Sequence, residues 1–502
     1  MVMQIRNILQ KKPFYRIAPP WSDMVGITDN ILNAPPVSDR TQYIIRTQTD
    51  FLREYDIAGH KINSRYIYPD KVSTDENGNK SIHPIARVAV AFQQEIVKKH
   101  LTYLCGNDIE FSMPISNPDE SDENQRSEFK SAWVEKNMET AFYASMKADK
   151  ITGDCAFCGI LNKGKFQWRV FSFLDGDTLY PHYDSITGEL SLFARKYSQL
   201  DDKGKEICEY LDVWDEKNIY HYKKDSSTLG KKIKNAVLEA IGLDGWKQIG
   251  AAEQHGFERV PVSYHRSGAP CWDASQDNIE AYEWALSQLA ENNKAYALRI
   301  LFLKGAEMDM KATVDGTPLS IDTADPDGEA RFLEPADSSS SFELQLKTLE
   351  NNIYKGSLVS KTPDIKGSDV SGVVVKMLFS DSFQQAFIDS QEYNSFIKDM
   401  IDIFKYGYGV EISEVTKYKS LKINGAIVPY MYMSETEEVS NIVQLVSVGA
   451  LSKRSASEHA HRIGYGVNGE WVRRMQEERE ALIGNAQTID KNVVSKTRQQ
   501  LQ

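Results

Sequence analysis

The residues from Gly159 to Phe166 read Gly-Ile-Leu-Asn-Lys-Gly-Lys-Phe, one position short of the phosphate-cradling pattern G-x-x-x-x-G-K-[ST]. Such a loop needs a hydroxyl for Mg²⁺ and a helix whose N-terminus faces the phosphates. Phe166 brings no hydroxyl, and the residues after it alternate like a strand, so a hairpin turn is the expected structure here. The alternative is a helical nucleotide-binding protein or enzyme that uses Gly159 to Lys165. Cys155 and Cys158 have the spacing of a redox pair or half a zinc site, yet no second Cys or His pair follows at finger-like spacing, so packed free thiols are expected. His459 and His461 are two apart on a predicted helix and point to different sides, which suits no shared metal. Asp175-Gly176-Asp177 and Asp325-Pro326-Asp327-Gly328 read as turns. No nucleophile has a recognisable partner, so neither an enzyme nor a cofactor is expected.

The elements around these residues divide the chain. From Cys155 to His265 the period is two: Phe166, Trp168 and Val170 alternate with polar residues, and turns fall at Asp184–Gly188 and Asp215–Asn218. This predicts an antiparallel sheet region, with a helix over Ile233–Ile241. Before it, Thr41–Tyr55 reads as a helix, Asn77-Gly78 as a hairpin turn, and Ile85 to Tyr103 as one amphipathic helix stopping at Gly106. Pro114–Arg126 reads as a surface loop, and Phe129 through Met146 as the next helix.

Beyond the sheet region the steps of three and four return. They predict a helix over Gln276–Leu303, about 42 Å long at about 1.5 Å per residue. Ser340 with Glu343 reads as the capping box of a second helix that stops at Gly356. Ser360–Gly372 is broken by Pro and Gly and reads as a loop. A third helix of roughly 30 residues ends at Gly407 and Gly409. Val410–Met433 reads as two or three strands around Asn424-Gly425 that return to the earlier sheet. Ser434 with Glu437 caps a further helix ending at Gly449, and two short helices follow at Ser452–Ile463 and Glu470–Leu482.

Composition bounds the function. The chain has 502 residues, a net charge of −12 and five cysteines, an odd count that does not suggest a disulfide framework. The acidic balance argues against coating DNA by phosphate neutralisation, which needs a surplus of lysine and arginine. The absence of a long apolar run and of a signal-peptide block leads to the expectation of a soluble cytosolic product with no membrane contact.

Several motifs, in order, resemble those of the portal, or head-to-tail connector, proteins of tailed bacteriophages, the type found in long-tailed phages of Gram-positive hosts. Tyr55-Asp56-Ile57-Ala58-Gly59-His60-Lys61-Ile62 is similar to the family's Y-x-G-x-x-x-I segment, with three residues between Tyr and Gly and two between Gly and Ile. Tyr103-Leu104-Cys105-Gly106 is similar to its Y-L-x-G helix end. Val260-Pro261 resembles the V-P element before the stem, and Pro363-Asp364 with Ser371-Gly372-Val373-Val374-Val375-Lys376 resembles the tunnel loop and the start of the long kinked helix. Gly449-Ala450-Leu451-Ser452-Lys453 with Ser455 and Ala456 is similar to the crown's G-x-x-S-x-x-T-A, Ser455 standing for Thr.

The resemblance implies an α+β portal fold. Its parts are an N-terminal arm (1–40), a wing (41–275 with 409–433), stem helices (276–303 and 341–358), a small α/β clip (304–340), a tunnel loop (359–372), a long kinked helix (373–408), a helical crown (434–486) and a tail (487–502). It implies a homo-oligomeric ring, usually of twelve, at one capsid vertex of the virion, made in the host cytoplasm. Double-stranded DNA passes through non-specifically during packaging and ejection, while a separate terminase hydrolyses ATP. A head-completion adaptor and the major capsid and scaffolding proteins are the other partners implied. On this reading Lys361, Lys366, Ser368, Asp369 and Ser371 face DNA from the loop, with the two lysines as transient phosphate contacts. Met308, Met310, Leu319, Ile321, Phe332 and Leu333 supply partner contacts from the clip, which is too small to bury them all.

Overall fold

The computed structural model describes residues 46–74, 78–112, 120–184, 186–200, 207–224, 246–296, 300–304, 306–308, 321–323, 329–333, 339–361, 377–431, 435–462 and 475. The predicted helices at Ile233–Ile241 and Glu470–Leu482, the turn at Asp325–Gly328, the cap at Ser434 and the arm at 1–40 lie outside these residues. The fold is α+β. It forms two compact units, one of residues Met1–Lys361 with Asp381–Tyr430, the other of Thr362–Ser380 with Met431–Gln502.

In the first unit, helix α1 (Gln48–Tyr55) leads to a hairpin, β1 (Lys71–Thr74) and β2 (Lys80–His83), turned at Gly78 with φ +81° as Asn-Gly predicts. The next helix, α2, is Phe92–Cys105, shorter than its periodicity suggested. Residues 84–91 stay out of the helix because another helix takes the N–H groups of Ala86, Val88 and Val90. α5 (Gln276–Tyr296) presents Glu283, Ser287 and Glu291 one turn apart, and these accept from the backbone of Val90, Val88 and Ala86 at 2.8, 2.9 and 2.6 Å. Four helical residues rise about 6 Å and two extended residues about 6.6 Å, so the two repeats run in step.

The predicted loop at Pro114–Arg126 is also revised. Residues 120–126 open α3 (Glu120–Glu135), and the apolar run continues as a separate helix, α4 (Met138–Thr152). Asn137, at φ 54°, makes the break, a left-handed conformation that Asn tolerates better than most residues.

The sheet region follows the alternation. β3 (Glu110–Ser112) precedes it, and β4 (Cys155–Asn162) pairs with both β5 (Lys165–Phe171) and β12 (Val262–His265). A second sheet has the order β10-β9-β8-β7-β6, with β11 (Glu253–Gln254) also on β9. Its strands are β6 (Thr178–Tyr183), β7 (Leu190–Leu200), β8 (Ile207–Trp214), β9 (Asn218–Lys224) and β10 (Trp246–Gln248). Phe171, Phe193, Trp214 and Val262 fill the core between the sheets. Asp175-Gly176-Asp177 forms a turn, with Gly176 at φ 84°, and Asp177 in it is buried against Arg195 at 2.8 Å, whose guanidinium lies over the Phe171 and Tyr197 rings.

The apolar run Ile300–Leu303 is strand, not the end of a helix. β13 (Ile300–Lys304) pairs with β16 (Glu329–Leu333), and β14 (Ala306–Met308) with β15 (Ile321–Thr323). α6 (Ser339–Gly356) contains Ser340, which therefore sits inside the helix and not at its cap. The long third helix is two, α7 (Ser380–Glu392) and α8 (Asn394–Glu411), broken at Tyr393. Gly407 and Gly409 do not end it. They lie within α8 because the chain packs closely there: a Cβ on Gly407 would come 2.2 Å from the Phe166 ring. α8 carries Ile397, Met400, Ile401 and Phe404 into the main core, where Phe404 meets Phe129, Trp133 and Phe166 edge-on at 5.2–5.4 Å. Among its described residues, Val410–Met433 does not form strands of the earlier sheet. It holds the end of α8, then α9 (Val415–Ser420) and one short strand, β17 (Asn424–Ala426), paired with β3.

In the second unit, α10 (Glu435–Ser447) ends in a turn with Gly449 at φ +74°. α11 (Lys453–Arg462) follows, capped by Ser452, whose hydroxyl accepts from Ser455 N at 3.0 Å.

Candidate functional site

The near-miss phosphate loop is a hairpin. Lys163 and Gly164, at φ 51° and 77°, make the two-residue turn between β4 and β5, and no helix follows to face a phosphate. A Cβ on Gly159 would come 2.5 Å from Ile403, so that glycine serves packing. Cys155 and Cys158 are three apart on one strand and point to opposite faces: Cys155 enters the main core and Cys158 the core between the sheets. Both are buried free thiols, and burial pushes Cys158 up to about 12 and Cys155 well above its usual value, so neither is a reactive thiolate at neutral pH. Among the described residues no group of His, Cys, Asp and Glu is arranged to hold a metal ion, and no helix is long and apolar enough to cross a membrane.

The residues that converge lie where α6 ends and α7 begins. α6 packs along α5, and Gly356 allows the close approach, since a Cβ there would meet Ser275 Oγ at 2.6 Å. The helix closes with Val359 N donating to Tyr354 O at 3.0 Å around Leu358, whose φ is 50°. Leu358, and not Gly356, thus takes the left-handed position of the helix stop. Ser275 Oγ donates to Ile353 O at 2.7 Å and accepts from Ser357 Oγ at 2.8 Å.

α2 supplies the next layer. His100 Nε2 donates to Ser357 O at 2.9 Å, which leaves Nδ1 facing Asp389 Oδ2 of α7 at 3.8 Å. Asp389 is ion-paired with Lys150 Nζ of α4 at 2.8 Å, and both side chains are buried. Burial alone would raise the Asp389 carboxyl, but the neighbouring His100 ring and Lys150 ammonium prevail and hold it at about 2. Lys99, beside His100, donates to Ser360 O at 3.0 Å and pairs with Glu95 at 2.9 Å. Ser360 N donates to Ser382 Oγ at 2.8 Å, and Ser382 N to Ser360 Oγ at 3.5 Å. Four elements therefore meet through buried polar groups: α2, α4, the end of α6 and α7, which contributes Ser382 from its first turn and Asp389 from its last.

Of the DNA-facing residues expected from the sequence, Lys361 lies just beyond Ser360, half exposed and paired with Glu350 Oε2 of α6 at 2.7 Å. Lys366, Ser368, Asp369 and Ser371 lie outside the described residues. Of the partner-contact residues, Met308 and Ile321 stand opposite each other in the β14–β15 register, Phe332 and Leu333 are on β16, and Met310 and Leu319 lie outside the described residues. Lys99, His100, Asp389 and Ser382 were not marked by the sequence. Each finds its partner far along the chain, and no local spacing announces such a contact.

The buried polar groups of the folded chain converge on a junction of helices. Over residues 41–484 it matches the family described as phage portal protein, SPP1 Gp6-like, and it belongs to that family. No curated protein matches it significantly. The chain is accordingly a bacteriophage portal protein, a head-to-tail connector of the virion that serves DNA packaging and ejection. The family is structural, not enzymatic, and implies an oligomeric ring with capsid and terminase partners.

Proposed function

We propose that α5 and α6 line the stem of a ring of twelve subunits and that the connection from Lys361 to α7 faces the DNA in its channel. The family match over residues 41–484 carries this reading. The junction supports it, because the connection departs from and returns to one buried point between the helix paired with α5 and the helix before the Tyr393 break. In this arrangement Lys361 and Lys366 touch phosphates transiently, with Ser368, Asp369 and Ser371 beside them. An acidic balance, −12 overall, leaves no surplus of cations to hold phosphates and so lets DNA slide. Lys361 is restrained by Glu350, which weakens its attraction for DNA until the pair opens.

The segment 304–340 is the docking surface for terminase and the head-completion adaptor, and residues 434–486 form the crown. The scaffolding and major capsid proteins meet the ring during assembly in the host cytoplasm. Replacing Lys361 and Lys366 together by Ala is expected to slow packaging in vitro, most at low salt. Unchanged packaging at both low and high salt would sink the DNA-facing assignment. Deleting 304–340 is expected to abolish terminase and adaptor binding while rings still form, and particle averaging of those rings reads the subunit number.

A further inference from the structure

The connection between α6 and α7 begins and ends at two serines that bind each other. Ser360 and Ser382 are 6 % and 5 % exposed, and each donates its backbone N–H to the other's hydroxyl oxygen, at 2.8 and 3.5 Å. Ser382 N is one of the first-turn N–H groups of α7, which a helix leaves without an internal partner. Its partner here comes from across the connection. Lys99 Nζ donates to the Ser360 carbonyl at 3.0 Å. The adjacent His100 holds Ser357 O and faces Asp389, so neighbouring residues of α2 engage both the outgoing and the returning chain.

We propose that Ser360, Ser382 and Lys99 form a clamp that keeps the two ends of the connection together throughout DNA passage, making them positioning residues for the channel-facing segment. The clamp rests on the reading of that segment as DNA-facing, but its closure is a property of the protein alone. The end of α6 and the start of α7 are thereby held as one body. Each hydrogen bond is modest, but both serines are buried, so opening the clamp costs these N–H and carbonyl groups their partners until water reaches them.

Two measurements test it, both on assembled full-length rings. First, Ser360→Ala with Ser382→Ala is expected to raise amide exchange at residues 358–360 and 382–386 by about fivefold, the factor for one buried hydrogen bond of about 1 kcal/mol, with the β6–β9 sheet unaffected. Unchanged exchange at both stretches would overturn the clamp. Second, Ser360→Cys with Ser382→Cys is expected to oxidise to an intrachain disulfide, read by peptide mass. The oxidised rings are expected to package DNA at the rate of the reduced ones. A pair that will not oxidise shows that the ends are not held together, and rings that stall when oxidised and recover with reductant show that the ends must part; either result overturns the proposal. Exchange and oxidation are read without DNA, so they stand if the Lys361 and Lys366 variant packages normally and only the DNA-facing reading fails.

Discussion

Glu283 Oε1 of α5 lies 2.6 Å from Nδ1 of His60, and both side chains are 3 % exposed. The same carboxylate oxygen receives Val90 N, while His60 Nε2 donates to Glu54 O. Burial alone would lower the imidazole pKa, but the Glu283 hydrogen bond and charge outweigh it and the net shift is upward. A raised histidine stabilises the fold fully below the unfolded value of about 6.5 and loses that contribution as pH rises through the folded value. Glu283→Gln is therefore expected to cost more at pH 6 than at pH 9, with a loss of about 3 kcal/mol at the acid end. Urea unfolding midpoints of wild type and variant at the two pH values check this, and an equal loss at both refutes it.

The Asp389–Lys150 pair behaves in the opposite sense with pH. Its carboxyl is held at about 2, below the unfolded range, so its stabilisation is present above about pH 4 and fades as pH falls toward 2. Asp389→Asn strands a buried ammonium and is expected to cost about 3–5 kcal/mol at pH 7. Adding Lys150→Met should recover much of that loss, because the unpaired charge is gone. Denaturant unfolding of the single and double variants measures the recovery.

Asp154 is 2 % exposed and accepts from Gln48 Nε2 at 2.7 Å. Burial, and then the Asp149 charge, raise its carboxyl to about 7. A folded state that holds this proton more tightly than the unfolded chain loses stability as pH rises from about 4 to 7. Asp154→Asn removes that slope, so the variant should gain on wild type between pH 5 and pH 8. Thermal unfolding at the two pH values is the check, and a constant difference would contradict it.

Leu358 holds a left-handed conformation at the end of α6, which costs a residue with a Cβ about 1–2 kcal/mol. Its side chain is 46 % exposed, so little packing is lost on truncation. Leu358→Gly is expected to stabilise the protein by about 0.5–1 kcal/mol once the extra freedom of unfolded glycine is counted. A lower unfolding midpoint for the variant would show that the leucine side chain contributes more than its backbone costs.

The strands of Cys155–His265 were legible because alternation and turn residues are local signals, and β4–β5, β6–β7, β7–β8 and β8–β9 pair with near neighbours in sequence. The same holds for the Asn77-Gly78 hairpin. Longer-range contacts were not. Residues 84–91 have the apolar spacing of a helix start, but the N–H groups of Ala86, Val88 and Val90 are captured by Glu291, Ser287 and Glu283, about 200 positions away. Ile300–Leu303 is an apolar run that periodicity assigns to helix or strand equally well, and pairing with β16 decides it. Gly407 looked like a terminator because its use, admitting the Phe166 ring, is tertiary. The junction of Ser357, Ser360, Asp389 and Lys150 was invisible for the same reason: serines and single charges are common, and only the fold brings these together.

Strand β4 places Cys155 and Phe157 in one core and Ala156 and Cys158 in another. Alternate residues of a single strand therefore weld the helical body to the sheet layer. That layer cannot be excised or exchanged as a module without tearing open the body's own interior.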